Sequence, residues 1–158
     1  MKGTAAVRPS ILSAFCIIWL AAVPANARTT VIDDSATLPY NAALAMRWQE
    51  IAPRGHANNL MVGTLQLRVR LNVAPWLRRT GRIYLVLPAQ QPGGITAAWT
   101  THGRLLAGRV TAGSRTLVYS GPITAPFIED VVQLTITVDG RRMAQTYPVN
   151  FRFEMDED

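Results

Sequence analysis

Few side chains in this sequence could do chemistry. Its histidines, His56 and His102, are far apart, and each stands beside turn residues. A metal site would want His, Asp and Glu spaced to share one face of an element, and neither His-x-His nor His-x-x-x-His occurs, so both are read as loop histidines. Ser35, Ser114 and Ser120 lack the Gly-x-Ser-x-Gly setting of a nucleophile elbow. Glu129 and Asp130 are adjacent carboxylates. Neighbours on a strand point to opposite faces, so the pair is poorly placed to work together as acid and base, and it is read as a polar turn. Gln91-Pro92-Gly93-Gly94 has two glycines but neither the Lys-Ser/Thr nor the helix start of a phosphate loop. No acid, base and nucleophile set can be assembled. The expectation is a non-enzymatic protein with no cofactor and no metal.

Binding chemistry is better represented. Trp76-Leu77-Arg78-Arg79 falls in a connection between strands, where binding residues often lie and where a large aromatic is less easily explained as core. The competing reading is that Trp76 plugs the end of the fold. Arg68 and Arg70 share the polar face of one strand, and Arg47 would extend them into a basic stripe if its strand were a neighbour. Trp76, Arg78, Arg79, Arg68 and Arg70 are thus the candidate binding residues. Arginine grips carboxylates, phosphates and sulfates through a planar fork, so an acidic glycan, an anionic lipid or an acidic partner would suit them, a solvated sheet face being the plainer reading.

The N-terminal segment reads as a secretory signal peptide spanning residues 1–27. Lys2 and Arg8 give a positive start, Ile11 to Val23 an apolar run, and Ala25-Asn26-Ala27 a small-x-small cleavage site after Pro24. The run is shorter than the roughly 20 residues needed to span a bilayer, and nothing later is long and apolar enough to do so. The expected location is therefore the periplasm or the cell surface. The single cysteine, Cys16, lies inside the signal, so the processed chain has no thiol for a disulfide, a metal or nucleophilic attack. Processing removes Lys2 and Arg8 and leaves about 131 residues, enough for one domain with its own core. It also leaves 14 basic residues, all arginine, against 10 acidic ones. Export and the lack of a basic helix interleaved with aromatics argue against nucleic acid as a partner.

The elements that must position these residues are strands. Leu65 to Val73 alternates without a break, placing Leu65, Leu67, Val69, Leu71 and Val73 on a dry face and Gln66, Arg68, Arg70 and Asn72 on a wet one. Such alternation belongs to an antiparallel sheet packed on one side. Arg82 to Pro88 reads as a strand buried on both faces, with Ile83, Leu85 and Leu87 opposite Tyr84 and Val86. Ile95 to Thr101 is expected to be a strand with Trp99 in the core. Further short strands are expected within Leu105 to Val110 and over Arg115 to Ser120, before Gly121-Pro122. Arg28 to Tyr40 is expected to be an N-terminal extension or edge strand. Ala42 to Ile51 fits helical and strand spacing, and strand is preferred for its neighbours' sake.

Near the C-terminus Val132, Leu134, Ile136 and Val138 alternate with polar residues up to Asp139-Gly140, and a second alternating run follows. Asp-Gly suits a two-residue hairpin turn because both positions take positive φ. The hairpin would pair Val138 with Arg141, Ile136 with Met143, Leu134 with Gln145, Val132 with Tyr147 and Ile128 with Phe151, apolar face on apolar face with Gln145 the exception. Pro148 suggests an edge or bulge, and Asp156-Glu157-Asp158 an acidic tail that opposes sheet extension.

Seven or eight short strands with frequent turns and no long amphipathic helix indicate an all-β protein, an antiparallel β-sandwich, immunoglobulin-like in general architecture, over residues 41–158. A small β-barrel is the alternative, since strand count does not separate the two. No family motif is matched. The expected function is an exported structural or binding module, a subunit or accessory of a bacterial surface assembly such as a pilus, because exported sandwiches with unpaired edges can assemble by β-strand addition with other exported proteins. The alternative is a periplasmic or surface protein that binds an acidic glycan or lipid through the Trp76 to Arg79 loop.

Overall fold

A computed structural model describes residues 28–40, 44–50, 59–90, 94–142 and 149–157. Among these the strands are β1 (Thr29–Val31), β2 (Leu38–Pro39), β3 (Arg47–Trp48), β4 (Leu60–Asn72), β5 (Thr80–Leu87), β6 (Thr96–Thr101), β7 (Gly108–Thr111), β8 (Ser114–Pro122), β9 (Phe127–Asp139) and β10 (Arg152–Glu157). They form two antiparallel sheets, one in the order β1-β10-β5-β8 and the other β2-β4-β9-β6-β7, with β3 also paired to β4. The sheets pack face to face as a sandwich and do not close into a barrel. Residues 1–27, read above as a signal peptide, His56 and its loop at 53–58, residues 91–93 of the glycine-bearing loop, and Met143, Gln145, Tyr147, Pro148 and Asp158 lie outside the described residues.

The alternation that made Leu65 to Val73 legible is realised in β4. Val69, Leu71 and Val73 are buried and Leu65 and Leu67 half-buried, while Gln66 and Arg68 are exposed. β4 pairs with β9 along the whole length of both, from Leu60↔Asp139 to Asn72↔Phe127, so Leu65 faces Leu134 and Leu67 faces Val132. Trp99 on β6 sits beside Leu134 and is 5 % exposed, in the core as expected. From the other sheet Ile83, Leu85 and Leu87 of β5 and Phe153 and Met155 of β10 complete the core, and Val86 is buried as well. β8 carries a bulge, where Ile83 faces Tyr119 but Tyr84 faces Leu117. The extra residue, Val118, is 1 % exposed and packs in the core.

The expected hairpin at Asp139-Gly140 does not form. Both edges of β9 are already taken, by β4 and by β6, so Val138 faces Met61, Ile136 faces Gly63 and Ala97, and Ile128 faces Leu71. Gly140–Arg142 is a 3₁₀ turn instead, with the Asp139 carboxylate accepting hydrogen bonds from Arg141 N and Nε at 3.1 Å each. Phe153 and Met155 belong to the opposite sheet. The local turn preference of Asp-Gly is outweighed by a 13-residue ladder whose alternate side chains are buried. The face assigned to Val132, Leu134, Ile136 and Val138 holds, since all are buried; the partner differs.

Other expectations are also revised. Glu129-Asp130 is not a turn but lies within β9, its side chains on opposite faces as the strand requires. The C-terminal acidic residues Asp156 and Glu157 do not form a loose tail: they pair between β1 and β5. Arg28 to Tyr40 becomes two edge strands, β1 on one sheet and β2 on the other. Within Ala42 to Ile51 the strand is only Arg47–Trp48, preceded by half-buried Leu44 and Met46.

Candidate functional site

The long sides of the sandwich differ. On one, the chain itself crosses between sheets through β7 and β8: Gly113 N donates to Leu87 O (2.8 Å), Ala112 N to Ile95 O (3.0 Å) and Leu106 N to Val118 O (2.7 Å). Trp99 Nε1 donates to Leu106 O at 2.8 Å, so the core indole is satisfied where the crossing closes over it. Asp130, 6 % exposed, holds the preceding loop by accepting from Leu105 N at 2.8 Å.

On the other side, among the described residues, only the short strands β1, β2 and β3, of three, two and two residues, close the edges. β1 pairs with Glu154, Met155 and Asp156, and Ile32 N adds one bond to Phe153 O at 2.8 Å. The chain then crosses over, with Asp33 bridging Asn72 on the far sheet. No described strand continues the ladder on β10 beyond Phe153. In the immunoglobulin sandwich one sheet runs A-B-E-D and the other C-F-G. β2-β4-β9-β6 gives the first order and β5-β10 the C-F pair; among the described residues β1 alone stands in the G position.

A cleft of about 450 Å³ opens there and runs between the sheets as far as Trp99, Leu105 and Val118. Its walls are Leu65, Leu67 and Val69 of β4, Leu134 of β9, and Phe151 and Phe153 beside the unladdered edge. That volume lies within the range of ligand-binding cavities. Leu38 (62 % exposed), Val31 (61 %) and Tyr40 (55 %) stand on the strands that flank its mouth or just after them, large apolar side chains turned to solvent. Asp34, half-buried, is the one charged residue in the described lining. Burial, chiefly, holds its carboxyl above the usual carboxylate range, with Asp33 next to it adding in the same direction.

The candidates named from sequence fall in two other places. Trp76 lies in a 3₁₀ turn, is 6 % exposed, and donates from Nε1 to Glu157 Oε1 at 2.9 Å. Arg79 Nη1 reaches Glu157 Oε2, also at 2.9 Å. Trp76 and Arg79 therefore converge on the end of β10. Arg78 is exposed, with φ 65°, a left-handed value rare outside glycine, and its N–H donates to Ile123 O at 2.9 Å. Arg70 pairs with Glu129 (Nε to Oε1 3.1 Å) and lies 4.2 Å over the Phe127 ring. Arg68 is exposed on the same outer face, beside a shallow depression lined by His102 and Glu129. Arg47 stands opposite Val62, six positions along β4 from Arg68, so the three arginines do not form a continuous stripe.

The outer face of the β10 sheet carries a further polar network that the sequence did not announce. Asp156 Oδ1 accepts from Thr29 Oγ1 (2.7 Å) and from Arg115 Nη1 (3.2 Å), and Arg115 lies 4.2 Å over the Tyr84 ring. Burial alone would push the Asp156 carboxyl up, but the Thr29 hydroxyl and the Arg115 guanidinium outweigh it and hold it below its ordinary value. Asp156 thereby ties β1, β10 and β8 together.

Among the described residues no group of three His, Cys, Asp or Glu could hold a metal ion, and no helix is long and apolar enough to cross a membrane. Comparison with protein-family models, with curated proteins and with solved structures gave no match. The cleft and its lone carboxylate were missed from sequence. The available signals were the adjacent pair Asp33-Asp34, unbalanced by any nearby arginine in an arginine-rich chain, and the exposed apolar residues in so short a stretch of strand.

Proposed function

We propose that the protein is an exported, non-enzymatic assembly module, a subunit or accessory of a bacterial surface structure such as a pilus, that takes a strand of another polypeptide into its open side. One observation carries this reading: the apolar cleft of about 450 Å³ lies against the part of β10 where the ladder stops. A strand laid there would gain main-chain hydrogen bonds from the sheet edge and bury alternate side chains against Leu65, Leu67 and Phe151, the two components of strand-addition binding.

The test is the assembly state of the processed chain recovered from its own compartment, measured by analytical ultracentrifugation together with hydrogen exchange over residues 149–153. Protected amides there and association beyond the monomer are expected. Leu65→Phe, which fills the cleft without adding charge, should abolish both while the fold persists by circular dichroism. A monomer with fast-exchanging amides at 149–153, unchanged by Leu65→Phe, would overturn the reading.

A further inference from the structure

Asp34 stands where β1 leaves its sheet, at one end of the cleft, and no described side chain pairs with it. It lines an otherwise apolar wall, it is half-buried, and no described residue forms an ion pair or side-chain hydrogen bond with it. Its neighbour Asp33 is occupied elsewhere, accepting from Ser35 N at 3.1 Å. The processed chain has 14 arginines, of which Arg70, Arg79, Arg115, Arg141 and Arg152 pair with Glu129, Glu157, Asp156, Asp139 and Glu154. A carboxylate drawn part-way out of water without a partner is costly to keep. That cost falls when a cation arrives with whatever fills the cleft.

We propose that the strand received by the cleft carries a lysine or arginine that pairs with Asp34, while its alternate apolar side chains pack against Leu65, Leu67 and Phe151. The inference rests on the strand-addition reading above and goes beyond it by naming the chemistry of the partner. The partner is a polypeptide rather than a cationic amphiphile, because Arg152 of β10 and residues 149–151 just before that strand have no described strand beside them on the β1 side and offer main-chain groups that an acyl chain would leave unused. Residues 149–153, at about 3.3 Å per residue, call for a strand of about five residues. Apolar burial and main-chain bonds supply affinity there, and the charge sets which strand is accepted and in what register.

The experiment uses the processed chain and two synthetic peptides of alternating valine and threonine, one flanked at both ends by arginine and the other by glutamine. Binding is followed by fluorescence anisotropy and hydrogen exchange at 149–153. The arginine peptide is expected to bind about five- to tenfold more tightly than the glutamine peptide. In Asp34→Asn, which keeps the side-chain shape, that preference should vanish through loss of affinity for the arginine peptide alone. Both peptides should protect 149–153, and Leu65→Phe should bind neither. Equal affinity of both peptides for the parent chain would overturn the charge assignment and leave strand addition standing. Binding of neither would overturn both. Decylamine binding more tightly than either peptide, without protection at 149–153, would overturn both in favour of an apolar-ligand cavity.

Discussion

The two long sides of this sandwich are made from the same kinds of residue and end differently. On the β7–β8 side the chain crosses between the sheets, and its backbone donors find Leu87, Ile95 and Val118 carbonyls while Trp99 caps the core. On the β1–β2 side the crossing segment is short, its strands hold three and two residues, and the gap left between the sheets is about 450 Å³. A sandwich edge is thus sealed by a connection that runs along it, not by the apolar faces themselves, which extend to both sides. Where the connection is short, apolar surface and strand edge are left uncovered by the described residues.

The contrast can be broken first by truncation. Trp99→Ala on the sealed side should cost about 3–5 kcal/mol in denaturant unfolding, because it removes a buried ring and leaves Leu106 O without its donor. Phe151→Ala on the open side should cost markedly less, about 1 kcal/mol, since its ring is only half-buried beside space that already exists. Equal costs would mean that the open side is packed as tightly as the other. Next, Gly108→Ala would place a methyl 2.8 Å from Trp99 Cζ2 and 3.1 Å from Thr116 Cγ2 on the sealed side. Chemical denaturation should show a loss of about 1–3 kcal/mol from overpacking.

Filling the open side should have the opposite sign. Leu65→Phe is expected to raise stability by about 1 kcal/mol, seen as a higher midpoint in urea; a loss would mean that the cleft has no room for a larger side chain. The smallest effect concerns Asp156, which ties β1 to the rest of its sheet on the open side. Asp156→Asn should cost about 1 kcal/mol at neutral pH, a modest figure because half-exposed Arg115 is screened by solvent. The carboxyl is held below its ordinary value near 3.8 in the folded chain, so its contribution is present above that pH and lost as pH falls through the folded value. The variant's deficit should therefore shrink as urea titrations move from neutrality to pH below about 4.

Strands and faces were legible where one side of a strand is wet. The alternation in Leu65 to Val73 and in Val132 to Val138 placed their buried side chains correctly, and the apolar stretch Arg82 to Pro88 placed Ile83, Leu85 and Leu87 in the core, though on its other face Val86 is buried, Tyr84 half-buried and Arg82 exposed. Pairing was not legible. Asp139-Gly140 satisfied the rule for a tight turn and even matched apolar faces across it, yet β4 and β6 occupy both edges of β9. Parity fixes which way a side chain points and is blind to which strand lies alongside. Glu129-Asp130 misled for a related reason: polarity suggested a turn, whereas Glu129 meets Arg70 across the outer face and Asp130 is sheltered by the loop it holds at Leu105.

For the candidate site the division is similar. From sequence alone follow the all-β class, the buried faces, the core position of Trp99 and the competing readings of Trp76, because each depends on local alternation and on the size of one side chain. Only the tertiary structure decided that Trp76 is buried and that it and exposed Arg79 converge on Glu157. It alone decided that Arg47, on β3, stands beside β4 six positions from Arg68, and that no described side chain pairs with Asp34 beside the cleft. Those facts depend on which segments, distant in the chain, lie side by side. That choice is set by the summed burial and hydrogen bonding of two whole sheets, which no local stretch of sequence records.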